Sequence, residues 1–245
     1  MFEQRRRKAE RMRNDFATMA ILVPSRGRPD NIAALLTACE QTFIESPVFI
    51  ICDDDDVKLP AYRAVIEERQ QKGDYTLLIF QRSSRGMAAP LNKAVQKLLR
   101  ERNFTHFAFL GDDHRPQTVR WDQAWIDILE GIGGLVYGDD LLQRENLPTA
   151  VGMHGRIARE LDGMVPPGFI HLYLDNFWKR LGEDIGRLTY LPDCIIEHCH
   201  PLVGKAEVDE GYVRVNAADV YELDGQRFNE YMASREYQNL LVRVK

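Results

Sequence analysis

Disulfide spacing, membrane spans and phosphate-loop signatures are all missing from this chain of 245 residues. The four cysteines (Cys39, Cys52, Cys194 and Cys199) show no C-x-x-C spacing. They read as reduced thiols of a cytoplasmic protein, not as a disulfide framework. Nothing approaches the run of roughly 18 apolar residues that a membrane span requires. The opening MFEQRRRKAERMR is basic but has no apolar stretch behind it, so it is not a secretory signal. It reads as a solvated arm over residues 1–17, or as a contact for a polyanion or membrane surface. No G-x-x-x-x-G-K-[ST], G-x-G-x-x-G or G-x-S-x-G occurs, which excludes a P-loop, a dinucleotide fingerprint and a hydrolase elbow. A basic excess is missing too: the net charge is −5, which disfavours a surface built mainly for nucleic acid.

What is present is an α/β rhythm, and the 44% hydrophobic content suffices for one proper core. Apolar runs MAILVP, PVFIICD, YTLLIFQ and THFAFLG alternate with helical patterns PDNIAALLTACEQT, LPAYRAVIEERQQ and MAAPLNKAVQKLLRER. Pro90 falls in the first turn of the last of these, where proline is tolerated. Continuous rather than alternating apolar runs predict a mostly parallel sheet covered by helices on both faces. TVRWDQAWIDILEG and GGLVYG add a helix and a strand. Beyond Asn146 the rhythm breaks down into a loop at GMVPPGF, a helix at LYLDNFWKRLG and one or two strands in LTYLPDCIIEHCHP. The tail GQRFNEYMASREYQNLLVRVK predicts a terminal helix that packs on the body or makes a homodimer contact.

Ligands of open α/β sheets bind at the carboxyl ends of the strands. Four such ends carry unusual polar residues: PSRGRPDN, the Asp53–Asp56 run, RSSRGM and GDDHRP. Each alone could be an Asx-stabilised turn, but four on one sheet edge point to a nucleoside diphosphate and a divalent ion. Asp112 and His114, at i and i+2, can aim two ligands at one ion, with Asp113 on the sugar or behind them. Oxygen and imidazole donors suit Mn²⁺ or a similar ion. His198 and His200, at i and i+2 in a strand, offer a further ligand, His198 first.

The order VPSRGRP, acidic cluster, RGMAAPLNKAV and D-D-H triplet resembles the GT-A fold glycosyltransferases. It is most similar to family 2-like members, including short phage and actinobacterial forms, over about residues 19–200. The resemblance implies a Rossmann-like three-layer sandwich with a mostly parallel central sheet and an irregular acceptor-side C-terminal half. Pro24, Ser25 and Arg26 would line the nucleotide pocket, and the acidic cluster, through Asp54 and Asp55, would receive base or ribose. Arg85, Gly86 and Asn92 would lie against the nucleotide. Asp112, His114 and His198 would form the metal site; the third position is histidine where D-x-D is commoner, which leaves Asp112 or Asp113 as the principal acidic ligand.

Further implications concern the acceptor side. Asp175 sits where inverting members carry the base, although aspartate is also a favoured helix N-cap. Tyr137, Asp139 and Asp140 lie at another strand end, for sugar hydroxyls or as a helix cap. Trp178 would be a sugar platform or a core aromatic. The expected division is a catalytic domain over 18–215, with its nucleotide half about 18–115 and acceptor half about 116–215, and a helical tail over 216–245.

The expected activity is metal-dependent transfer from a nucleotide sugar, a UDP-sugar by expectation, to a hydroxyl acceptor with Mn²⁺ or Mg²⁺. That acceptor is a protein side chain, a glycan or lipid, or a hydroxylated DNA base. A cytoplasmic location is expected, that of the host cell if the chain is phage-encoded. The competing readings are a nucleotidyltransferase acting on a sugar phosphate and a non-catalytic nucleotide-sugar-binding module.

Overall fold

The computed structural model describes residues 18–83, 86–200, 204–205 and 210–245. The basic arm and Arg85 lie outside the described residues. The first half follows the alternation read from the sequence: β1 (Met19–Pro24), α1 (Pro29–Gln41), β2 (Val48–Asp53), α2 (Leu59–Arg69), β3 (Tyr75–Phe80), α3 (Ala88–Glu101) and β4 (His106–Phe109). Then come β5 (His114–Pro116), α4 (Trp121–Ile132), β6 (Leu135–Asp139), β7 (Val151–His154) and α5 (Gly155–Leu161). The chain continues with α6 (Leu174–Asp184), β8 (Leu188–His198), α7 (Glu210–Val215), α8 (Ala218–Met232) and α9 (Arg235–Val244).

The strands form one eight-stranded sheet in the order β3-β2-β1-β4-β7-β6-β8-β5. Strands β1, β2, β3, β4, β6 and β8 run one way, while β7 and β5 run against their neighbours. Alternate side chains of β1 enter opposite layers, as the two-residue strand period requires. Ala20 and Leu22 join one core with α3, α5, α6 and α9, through Leu91, Ile157, Phe177 and Leu240. Met19, Ile21 and Val23 join the other with α1, α2 and α4, through Leu35, Tyr62 and Trp125. Both faces being buried explains why the strands read as unbroken apolar runs.

The second half departs from the sequence reading in places, while LTYLPDCIIEHCHP stays within the one or two strands expected of it. The stretch after Asn146 contains a strand, β7, in the middle of the sheet. Gly152 hides it from a propensity argument, yet a Cβ there would stand 2.9 Å from both Trp125 Cε3 and Val136 Cγ1. LTYLPDCIIEH is a single strand, β8, whose pairing with β6 shifts register between Gly138 and Asp139. The C-terminal helix is broken into α8 and α9, because Ser234 caps α9 by accepting from the Tyr237 N–H at 3.1 Å. Tyr237, Leu240 and Val244 of α9 are buried in the same core as Phe177 and Leu181. All four cysteines are free thiols. Among the described residues no helix is long and apolar enough to cross a membrane.

Candidate nucleotide and metal site

The carboxyl ends of β1, β2, β4 and β8 open into one cleft of ≈ 640 Å³. Pro24, Ser25, Arg26, Asp53, Gly86, Asp112, Asp113, His114, Asp175, Trp178, His198 and His200 of the sequence motifs all border it. This convergence follows from the topology, since parallel strands deliver their C-terminal loops to one edge.

At its floor the two adjacent aspartates face different ways. Asp112 is buried against β1: Ser25 Oγ donates to its Oδ2 at 2.7 Å, and Arg28 Nη1 lies 3.4 Å from its Oδ1. Asp113 is turned to the imidazoles, with Oδ2 3.4 Å from His198 Nε2 and Oδ1 3.5 Å from His114 Nδ1. Burial raises the Asp112 carboxyl, and the charge of Asp113 adds to it. Burial would raise Asp113 as well, but His198 and then His114 hold it below the ordinary carboxylate range. His114 is pushed down to about 3 by burial and by His198. His198 resists its own burial because Asp113, Asp140 and Asp175 favour its charged form, and it ends above the ordinary histidine value.

The fit to a divalent ion is uneven across these groups. His198 Nδ1 is sealed from solvent and has no hydrogen-bond partner, while Nε2 is the ring atom that faces the Asp113 carboxylate. Asp113 favours a positive charge at this point, which a bound cation would also supply. His114 Nδ1 accepts from the Gly111 N–H at 2.9 Å, so its neutral ring carries the proton on Nε2, 3.4 Å from Thr149 Oγ1. It becomes a ligand only by giving up the Gly111 bond.

Arg26 binds Asp53 at 3.1 Å and also pairs with Asp55, which Arg82 contacts at 3.0 Å. Asp54 Oδ1 accepts from the Arg82 N–H at 3.0 Å, and Asp56 accepts from Gly27 and Lys58 N–H. The acidic run therefore braces the loops after β1 and β3, and it is Asp53 that borders the cleft, not Asp54 or Asp55.

Other motif residues point elsewhere. The Asn92 side chain accepts from Met164 and Val165 N–H and donates to the Val165 carbonyl, holding the loop before α6. Tyr137 faces a separate hollow, beside Tyr190 at a ring distance of 5.2 Å. Asp139 accepts from the Leu141 N–H. Asp140 is saturated by Leu142, Gln143 and Arg144 N–H and by Thr149 Oγ1. Gly86 borders the cleft at a tight approach, where a Cβ would stand 2.2 Å from the Ile170 carbonyl oxygen.

Asp175 lies in the first turn of α6, but the N-cap position belongs to Tyr173, which adopts φ 61°. The Asp175 carboxylate accepts from its neighbour Asn176 N–H at 2.9 Å, and burial raises its pKa. Trp178 is buried: its indole N–H donates to the Met164 carbonyl at 2.7 Å and its ring packs on Phe109 at 5.0 Å.

Several cleft residues carried no signal in the sequence. Arg28 was legible only as part of PSRGRP. His171, whose Nδ1 is sealed and unpartnered, borders the cleft from the loop read as GMVPPGF and its continuation. That loop is tied down by the fully buried Asp224 of α8, which accepts from Ile170, His171 and Leu172 N–H, each at 2.8 Å. Tyr212 of α7 reaches the cleft against His200, at a ring distance of 5.5 Å.

No family model and no curated protein sequence matches the chain. Solved structures do. TarS residues 1–349 from S. aureus in complex with UDP superposes with a TM-score of 0.56 at 12% identity, covering 93% of this chain and 75% of that one. The same protein in complex with UDP-GlcNAc gives 0.54 at 12% identity, over 93% and 79%. The mannosyltransferase PcManGT from Pyrobaculum calidifontis, in complex with GDP-Man and Mn²⁺, gives 0.56 at 11% identity, over 94% and 87%. The chain has the GT-A glycosyltransferase fold.

Proposed function

We propose that the chain is a metal-dependent glycosyltransferase that moves a sugar from a nucleotide-sugar donor, a UDP-sugar, to a hydroxyl acceptor. The observation that carries the reading is the cluster of Asp112, Asp113, His114 and His198 at the floor of a cleft rimmed by Arg26, Arg28 and Asp175. Fold neighbours solved with UDP, UDP-GlcNAc and GDP-Man support the donor class.

A Mn²⁺ or Mg²⁺ ion would be held by Asp113 and His198, which already face each other, with His114 and Asp112 beside them. When bound, it supplies neutralisation of the leaving diphosphate. Arg26 and Arg28 add fixed positive charge on the β1 side, and Asp53 is placed for a ribose hydroxyl or the base. The acceptor hydroxyl oxygen attacks the anomeric carbon as the bond from that carbon to the diphosphate oxygen breaks. Asp175 takes the hydroxyl proton onto its carboxylate; its burial in the cleft fits a base of raised pKa.

The test combines nucleotide release with thermal shift across UDP- and GDP-sugars, with Mn²⁺, Mg²⁺ or EDTA. A donor at about 100 times its Kd stabilises by roughly 2.7 kcal/mol, a Tm rise of about 5–10 °C for a chain of this size. Expected is a rise for one nucleotide family that vanishes in EDTA, together with release of its nucleoside diphosphate. Undiminished turnover by the Asp113→Ala, His198→Ala double variant refutes the metal site. Binding with no turnover in the presence of any hydroxyl acceptor tried reduces the chain to a binding module.

A further inference from the structure

A second group of ligating side chains lies at the far end of β4, away from the cleft. His106 opens β4 and His154 closes β7, and the antiparallel register sets them directly opposite each other. Their rings stand 5.0 Å apart. Glu130 reaches them from α4, placing Oε1 2.8 Å from His106 Nε2. One ligand atom from each of the three falls within 4.8 Å of the others. Asp112 is six residues further along from His106, about 20 Å in an extended strand, so this group cannot touch a donor in the cleft.

We propose that His106, Glu130 and His154 form a zinc-type metal site that pins the β4–β7 junction to α4. The strongest observation is His106 itself. It is fully buried, and neither ring nitrogen has a hydrogen-bond partner, because the Glu130 oxygen stands near Nε2 but off hydrogen-bond geometry. Buried polar atoms are normally satisfied. A metal at Nε2 satisfies the one that faces Glu130.

His154 contributes at a cost. Its Nδ1 accepts from the Arg156 N–H at 3.1 Å and caps α5. Either ring nitrogen can ligate only if that weak, exposed bond is given up. Arg156, Arg159 and Arg187 also act on His154 against a cation, leaving Glu130 as the anionic ligand. Two neutral imidazoles and one carboxylate select a zinc-like ion over Mg²⁺ or Ca²⁺, which want oxygen ligands. Glu130 is half exposed, so water can take a fourth position. The site is independent of the transferase reading.

The experiment is a Co²⁺ titration of chelator-stripped protein, followed by visible d–d absorption, in a His198→Ala background that disables the cleft ligand. Expected is a band that saturates at one equivalent, is displaced by Zn²⁺ and resists excess Mg²⁺. Adding Glu130→Gln, or His154→Asn, which keeps an acceptor for the α5 cap, should weaken Co²⁺ binding by more than about tenfold, the loss seen even for outer-shell partners. Glu130→Gln is isosteric and on the surface, so the result does not depend on a variant that fails to fold. No band in the His198→Ala protein, or a band that survives both added substitutions, overturns the site.

Discussion

His114 and His198 stack face to face, with ring centroids 4.5 Å apart and planes 13° from parallel. They are direct partners in the β5–β8 register, though 84 positions separate them in the chain. Asp113 lies beside both rings. The two imidazoles are thereby held by strand pairing, with Asp113 in the turn just before β5, which favours a preorganised ion site. Replacing His198 by alanine should leave the fold intact and abolish the difference between Mn²⁺ and EDTA in the nucleotide thermal shift. A metal-dependent shift of wild-type size in His198→Ala would remove this residue from the ligand set.

Asp175→Asn separates the base from the cap. The N-cap of α6 is Tyr173, so loss of the Asp175 charge should cost the helix only the first-turn dipole interaction, about 0.3–1 kcal/mol. Its folded pKa is raised by burial, so the folded state binds its proton more tightly than the unfolded chain does. Ionisation therefore opposes folding as pH rises, and the amide should be neutral to stabilising at pH 7. As a base it must be deprotonated, so kcat/KM should fall on acidification at a pH above the usual carboxylate range. The variant should retain the nucleotide shift and lose about 10²–10⁴-fold in kcat. Wild-type kcat in Asp175→Asn assigns the proton to another group.

Asp224 organises the cleft without touching its centre. Its carboxylate is the acceptor for Ile170, His171 and Leu172 N–H. Truncation to alanine strands these donors, at a cost of about 3 kcal/mol, and should lower Tm by roughly 5–10 °C. Because the loop carries His171 into the cleft, nucleotide affinity should drop as well. A Tm within 1–2 °C of wild type, on the scale of an ordinary surface substitution, would show that the loop holds itself.

His171 gives a defined pH signature. Burial pushes it down to about 4, below the ordinary histidine value of about 6.5. Between those values the unfolded chain binds the proton and the folded one does not, so stability is fully present above about 6.5 and declines as pH falls toward 4. The contribution is at most about 3 kcal/mol. Urea unfolding at pH 7 and pH 4.5 should show a smaller acid loss in His171→Asn than in wild type. Equal losses would place the acid sensitivity in other groups.

Legibility differed sharply between the two halves of the chain. Strands β1, β2 and β4 could be read because both their faces are buried, which makes the apolar run continuous. The motifs at their ends could be read because polar residues interrupt those runs. Strand β7 could not: its centre is Gly152, required by the approach of Trp125 and Val136, and no local propensity records that contact. The aspartates show the same limit. Asp53 through Asp56 are alike in sequence, yet only Asp53 borders the cleft while Asp54, Asp55 and Asp56 brace loops from β1 and β3.

Taken by itself, then, the order of residues determined the layered α/β architecture and the sheet edge at which the polar motifs gather. Periodicity and strand direction are local properties of the chain. Which carboxylate faces an imidazole, and which is used up on backbone N–H groups, was decided only by the tertiary structure. For Asp54 and Asp112 the choice depends on partners 28 and 87 positions away, Arg82 and Ser25. Burial and pairing across such separations have no counterpart in local sequence.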